Sequence, residues 1–223
     1  MRDLGLTCQT VHDLEEPVGW KILKSGKNII KSEIKFKPNE HVSINKWNNA
    51  YPNLNWKTIY YLCHKTTTDS KLRWFQLRLL YRILPTNRLL HIYKIKNTAH
   101  CDLCNDIETL EHMLYDCPFV VLFWQNLYDK FVRNLPHVTN LVLSKELVIF
   151  GAKPNTVTDK PFNLLLMCGK YYIYTCRFTH TVPNVDIFLK NFKFRYRIEK
   201  YYSQRINSGN FDTIWRPYYN LVN

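Results

Sequence analysis

Acidic side chains are scarce. The 223 residues hold 18 Asp and Glu against 31 Lys and Arg, a formal net charge of +13. Asp102, Asp106, Glu108, Glu111 and Asp116 crowd into one short stretch, and no convincing carboxylate cluster for two-metal catalysis is found in the chain. Long apolar runs are also missing. None approaches the ~18 residues that span a bilayer, and the longest candidate, Leu164 to Cys176, is interrupted by Lys170. The start shows no secretory apolar core, because Arg2 and Asp3 lead into the mixed run Leu4 to Cys8. With an odd count of seven cysteines, a disulfide framework is not expected, and an intracellular, reducing compartment (nuclear or cytoplasmic) is. No internal repeat is visible.

What is abundant is positive charge and aromatic surface. The isoelectric point is near 9.4, and aromatics make up 15% of the chain. Such a balance favours polyanionic partners, nucleic acid (RNA or DNA) first and an acidic membrane surface second. The charge is uneven. Residues 51–100 carry a net +8 and 151–223 a net +7, whereas 101–150 carry −4. Phosphate contacts are therefore expected from the two basic flanks and not from the acidic middle.

That middle holds the most informative motif, Cys101-x2-Cys104-x7-His112-x4-Cys117. Three thiols and one imidazole are the donors of a closed tetrahedral zinc site. The Cys-x2-Cys turn aims two thiolates at one centre, and His112 and Cys117 return from a short helix or turn. A closed shell leaves no position for water, so the expected cofactor is one structural Zn2+. Cys168 and Cys176, within an apolar segment, read as buried thiols.

The fold class expected is mainly α, a helical domain with an inserted zinc knuckle. A weak N-terminal β-hairpin around Ser25-Gly26-Lys27-Asn28 is a further expectation. Residues 1–55 form an ill-defined segment ending in a linker (38–55). Residues 56–135 hold helices plus knuckle, and 136–223 form a basic, aromatic helical region. Helices are expected over 56–64, 71–84, 87–94, from the knuckle to about Phe131, over 161–178 and over 186–206. In the second of these, Leu72, Phe75, Leu79 and Ile83 form the apolar stripe. In the last, Ile187, Phe194, Ile198 and Tyr201 share the apolar face.

The segments LRWFQLRLLYRILPTNRLL (72–90), CDLC (101–104) and ETLEHMLYDCPFVVLFW (108–124) resemble the C-terminal zinc-binding (CCHC) region of LINE-type non-LTR retrotransposon reverse transcriptases. The resemblance rests on Leu84-Pro85-Thr86-Asn87, Leu90, Glu108-Thr109, His112, Cys117 and Trp124. It covers about 56–124. A weaker echo runs through VIFG (148–151) into the helix at 164–178, closer to elements that carry an apurinic-type endonuclease. The resemblance implies a non-catalytic module that contacts RNA or target DNA during target-primed reverse transcription and packs with other reverse-transcriptase domains. No Tyr/Phe-x-Asp-Asp polymerase box and no Pro-Asp…Asp-x-Lys nuclease pattern is present.

Within that reading, Lys71, Arg78 and Arg82 form one cationic stripe and Lys190, Lys193, Arg197 and Lys200 a second. Trp74 and Tyr81 lie beside the first. Helix-face aromatics are more often core; exposed, they would stack on unpaired bases. Two other functions compete. One is a protein-docking scaffold pinned by zinc, presenting the acidic knuckle and the tail aromatics Trp215, Tyr218 and Tyr219. The other is a nuclease using His91, His100 or His112.

Overall fold

A computed structural model describes residues 42–130, 142–152, 159–205 and 211–219. The described residues are mostly helical. The expected N-terminal hairpin lies outside them. The helices are α1 (Val42–Ala50), α2 (Trp56–Thr66), α3 (Ser70–Leu80), α4 (Asn87–Ile92), α5 (Pro118–Lys130), α6 (Lys145–Phe150), α7 (Asp159–Phe178), α8 (Val185–Arg205) and α9 (Phe211–Trp215). Side-chain caps start several of them. Asn55, Asp69, Thr86 and Ser144 accept from the first-turn N–H groups of α2, α3, α4 and α6.

Helix α1 lies where the sequence suggests a linker. Its composition is polar and Asn-rich, yet Ile44 and Trp47 face inward, fully buried. The Trp47 indole donates to the Leu80 carbonyl at 2.9 Å, closing the end of α3. Tertiary packing thus overrides weak local propensity.

Helix α3 ends earlier than expected, at Leu80. The Ile83 N–H bonds the Arg78 carbonyl and the Arg82 N–H the Leu79 carbonyl, each at 2.9 Å, with Arg82 left-handed at φ 57°. This is a Schellman stop. It turns Ile83 out to 55% exposure, off the apolar stripe, and buries Leu84 instead.

Among the described residues, two clusters make the interior. One joins α1, α2, α3 and α6 around Trp47, Phe75, Leu79 and Phe150. The other joins Cys101, Cys117 and α5 to α7, α8 and the tail. There Phe123 meets Tyr172 and Phe188, and Trp215 packs tilted against Phe192 and edge-on against Tyr196. This second core draws side chains from before and after the expected boundary at 135/136, which itself lies outside the described residues.

Helix α8 is rotated from expectation. Its buried residues are Val185, Phe188, Phe192 and Tyr196, while Ile187, Phe194 and Tyr201 are exposed. The two aromatic stripes lie roughly 150° apart at ~100° per residue. Both are plausible on periodicity, and packing against Phe123 and Trp215 selects between them. No helix among the described residues is long and apolar enough to cross a membrane.

Candidate metal centre and cationic surface

The first two cysteines sit in a tight loop. An isolated antiparallel bridge pairs His100 with Ile107. Inside it the Cys101 N–H reaches the Asp106 carbonyl at 2.6 Å and the Asn105 N–H reaches the Cys101 carbonyl at 3.0 Å. Asn105 takes the left-handed conformation, φ 66°, that lets so short a loop close.

The other two candidate ligands depend on a less common device. His112–Asp116 winds as one π-helical turn, closed by the Cys117 N–H on the His112 carbonyl at 3.0 Å. On an α-helix, residues five apart would point ~140° away from one another. The wider turn brings Cys117 back over His112. Thr109 caps the His112 N–H at 3.0 Å, and Pro118 then opens α5. The Trp124 indole donates to the Leu114 carbonyl within the turn at 2.9 Å.

The four donor atoms of Cys101, Cys104, His112 and Cys117 all lie within 4.8 Å of one another. Cys101 Sγ and Cys117 Sγ are 4.0 Å apart, and Cys104 Sγ is 3.1 Å from His112 Nε2. A tetrahedral zinc with Zn–S of ~2.3 Å needs sulfurs ~3.8 Å apart, so the donors fit. Three of the four residues are buried and Cys104 is half-buried. The Cys101 thiol is held low, because Cys117 and the N–H groups of Leu103 and Cys104 donate to its sulfur. Cys117 is correspondingly pushed up by sharing its proton with Cys101 and by burial. An N–H-stabilised thiolate facing two more thiols and an imidazole is a metal-ligating set. A zinc ion held there would supply a cross-link between the loop and the π-turn.

The surroundings of the cluster are a buried polar network that sequence reasoning missed. Asn87, fully buried, donates its side-chain amide to the His100 carbonyl at 2.7 Å and its backbone N–H to Glu108 at 2.6 Å. Arg177, on α7, bonds the Asn87 amide oxygen and reaches Glu108 at 2.8 Å. Burial pushes the Glu108 carboxyl up, against the pull of the Asn87 N–H and Arg177. Three of the other local acids are matched by cations too. Asp102 pairs with Lys96, Glu111 with Arg82, and Asp116 with Lys145. The acidic stretch is thereby largely neutralised within the fold. The only early signal was the Leu-Pro-Thr-Asn and Glu-Thr segments, which contain Asn87, Glu108 and the capping Thr86 and Thr109.

The matching of this chain to known proteins falls on the same segment. Residues 41–124 match the family model for zinc-binding in reverse transcriptase. That span contains all four candidate ligands, Asn87, Glu108 and Trp124. No curated protein matches the chain. The chain thus carries a segment similar to the zinc-binding segment associated with reverse transcriptase.

The expected cationic residues separate into two groups. Lys71, Arg78, Lys190 and Arg197 are exposed, and Lys193 and Lys200 are half-buried, Lys200 lying over the Tyr196 ring at 5.9 Å. Arg82 is committed inward. It stacks on the Trp47 ring at 4.1 Å and meets Glu111 at 2.6 Å. Tyr81 is half-buried against Tyr60. Trp74, by contrast, is 64% exposed on the outer face of α3, flanked along the helix by Lys71 and Arg78. Of the tail aromatics, Trp215 and Tyr218 are buried, which removes them as a docking surface. His112 stands in the cysteine cluster, and the His91 ring nitrogen rests 3.2 Å from the Lys96 carbonyl.

Proposed function

We propose that this protein is a zinc-clamped, non-catalytic nucleic-acid-binding module of a LINE-type reverse transcriptase. It contacts RNA or target DNA during target-primed reverse transcription. The observation that carries the reading is a four-donor cluster inside a segment matching zinc-binding in reverse transcriptase. In this reading the metal does no chemistry. It fixes the loop and π-turn, and through Asn87, Glu108 and Arg177 it fixes α7. Lys71, Arg78, Lys190 and Arg197 meet phosphates, and Trp74 offers a ring to an unpaired base. Lys193 and Lys200 add charge beside them, while Arg82 and Tyr81 support the end of α3.

Filter binding to a single-stranded RNA between low and moderate salt tests it. Four phosphate contacts give a slope of log K against log salt of about −3, at ~0.7 per contact. Charge reversal of Lys193, Arg197 and Lys200 should weaken binding further. A weak, salt-independent response would sink the reading. Protein-partner binding that survives charge reversal would favour a scaffold.

A further inference from the structure

Beside α3, a groove of about 310 Å3 opens between α7 and α8. This is within the range of small-ligand sites. Tyr171 and Thr175 line one wall, Asn191, Phe194 and Ile198 the other, and Leu72 closes the α3 end. Two features separate it from an ordinary packing defect. Phe194 is 65% exposed although a buried aromatic stripe was available on the same helix. Lys71 lies at the α3 edge, with its ammonium 5.4 Å from the centre of the Tyr171 ring. Lys190 and Arg197, one turn to either side of Phe194, are exposed along α8. Arg195, also in the lining, is already tied to Asp69.

We infer that this groove holds one unpaired nucleobase, stacked on the Phe194 ring and edged by the Asn191 amide. The strand's phosphates would run over Lys71, Lys190 and Arg197. The charge decides the occupant. An apolar slot rimmed by cations suits a flat, uncharged ring carried on an anionic backbone, whereas an apolar peptide would gain nothing from that rim. An amide supplies both donor and acceptor to a base edge, and base–aromatic stacking tolerates any base. A duplex keeps its bases stacked inside and cannot fill the groove, so the site selects single strands.

This rests on the nucleic-acid reading above, and the test separates the two. The full chain is titrated with a fluorescent 12-mer of oligouridine and with a 12-base-pair RNA duplex. Phe194→Ala should lower oligouridine affinity ~5- to 150-fold, the range for loss of one stacked base, and leave duplex affinity and the salt slope unchanged. Phe194→Tyr should restore it. Phe194 is exposed, so neither variant should disturb folding. If Phe194→Ala changes oligouridine binding less than twofold, or weakens both probes alike, the groove assignment is overturned while the broader reading stands. If the native chain binds neither probe, both are overturned.

Discussion

Arg177 on α7 meets Glu108, between the Cys101–Cys104 loop and His112, at 2.8 Å, with side-chain exposures of only 10% and 2%. The pair joins the segment matched by the reverse-transcriptase zinc-binding model to the C-terminal helices. Removing one partner of a buried pair leaves the other charge stranded, at ~3–5 kcal/mol. Arg177→Met should therefore destabilise by about 3 kcal/mol in urea unfolding, and Glu108→Gln by a similar amount. The double variant should lose much less than the sum of the two. Additive losses would show that the residues do not act as a pair.

Loss of the metal should be felt as loss of folding energy. Elemental analysis should find about one zinc per chain, and Cys104→Ser should abolish it. Cys63→Ser, at a buried thiol that bonds the Ile59 carbonyl, should keep the metal. A ligand at 1,000 times its dissociation constant stabilises by about 4 kcal/mol. Chelation should lower the melting temperature of the native chain accordingly and leave Cys104→Ser unmoved. A metal-free chain that melts at the same temperature as the zinc-loaded one would refute a structural role.

These two relationships show how unevenly the sequence reveals the molecule. The four-donor cluster was legible because its signal is local, four chemically distinctive residues in a span of 17. Most helices were legible for the same reason, through caps and a 3.6-residue period. What depended on distant partners was not. Asn87 and Arg177 are 90 positions apart, and nothing in either neighbourhood announces the other. The rotation of α8 was hidden because two aromatic stripes compete on it. Helix α1 was hidden because Ile44 and Trp47 are its only large buried side chains. The π-turn was implicit in the five-residue step from His112 to Cys117, but a spacing does not say which turn satisfies it.

Gly169 is required by a close approach. A Cβ there would lie 2.7 Å from the Trp124 ring, and that ring is buried and tied to the Leu114 carbonyl. It has little freedom to retreat. Gly169→Ala should cost about 1–3 kcal/mol, the range for overpacking, although alanine is the better helix former. Trp124→Phe removes the indole donor and thins the ring, so it should partly rescue Gly169→Ala. A stabilised Gly169→Ala would mean that helix propensity outweighs the clash, and that α5 and α7 are not closely packed there.

Lys170 offers a pH test distinct from the metal centre. Its ammonium group is buried in the interior, with a single described hydrogen bond to the Ile149 carbonyl at 2.8 Å. Burial pushes its pKa down to about 7, against ~10.4 in an unfolded chain. Between those values the unfolded chain binds one more proton than the folded one. Stability from this group therefore rises with pH across that window, by ~1.4 kcal/mol per unit. Below about pH 7 the folded state carries the charge at its full desolvation cost. The Cys63 thiol, pushed up to about 11 by burial, acts in the opposite sense above its ordinary range. The clean quantity is thus the difference between the native chain and Lys170→Met, measured by urea unfolding. Lys170→Met should be the more stable near pH 7, and its advantage should shrink steadily toward pH 10. A constant difference across that range would show that Lys170 stays charged in the folded protein and that the interior around it is wet.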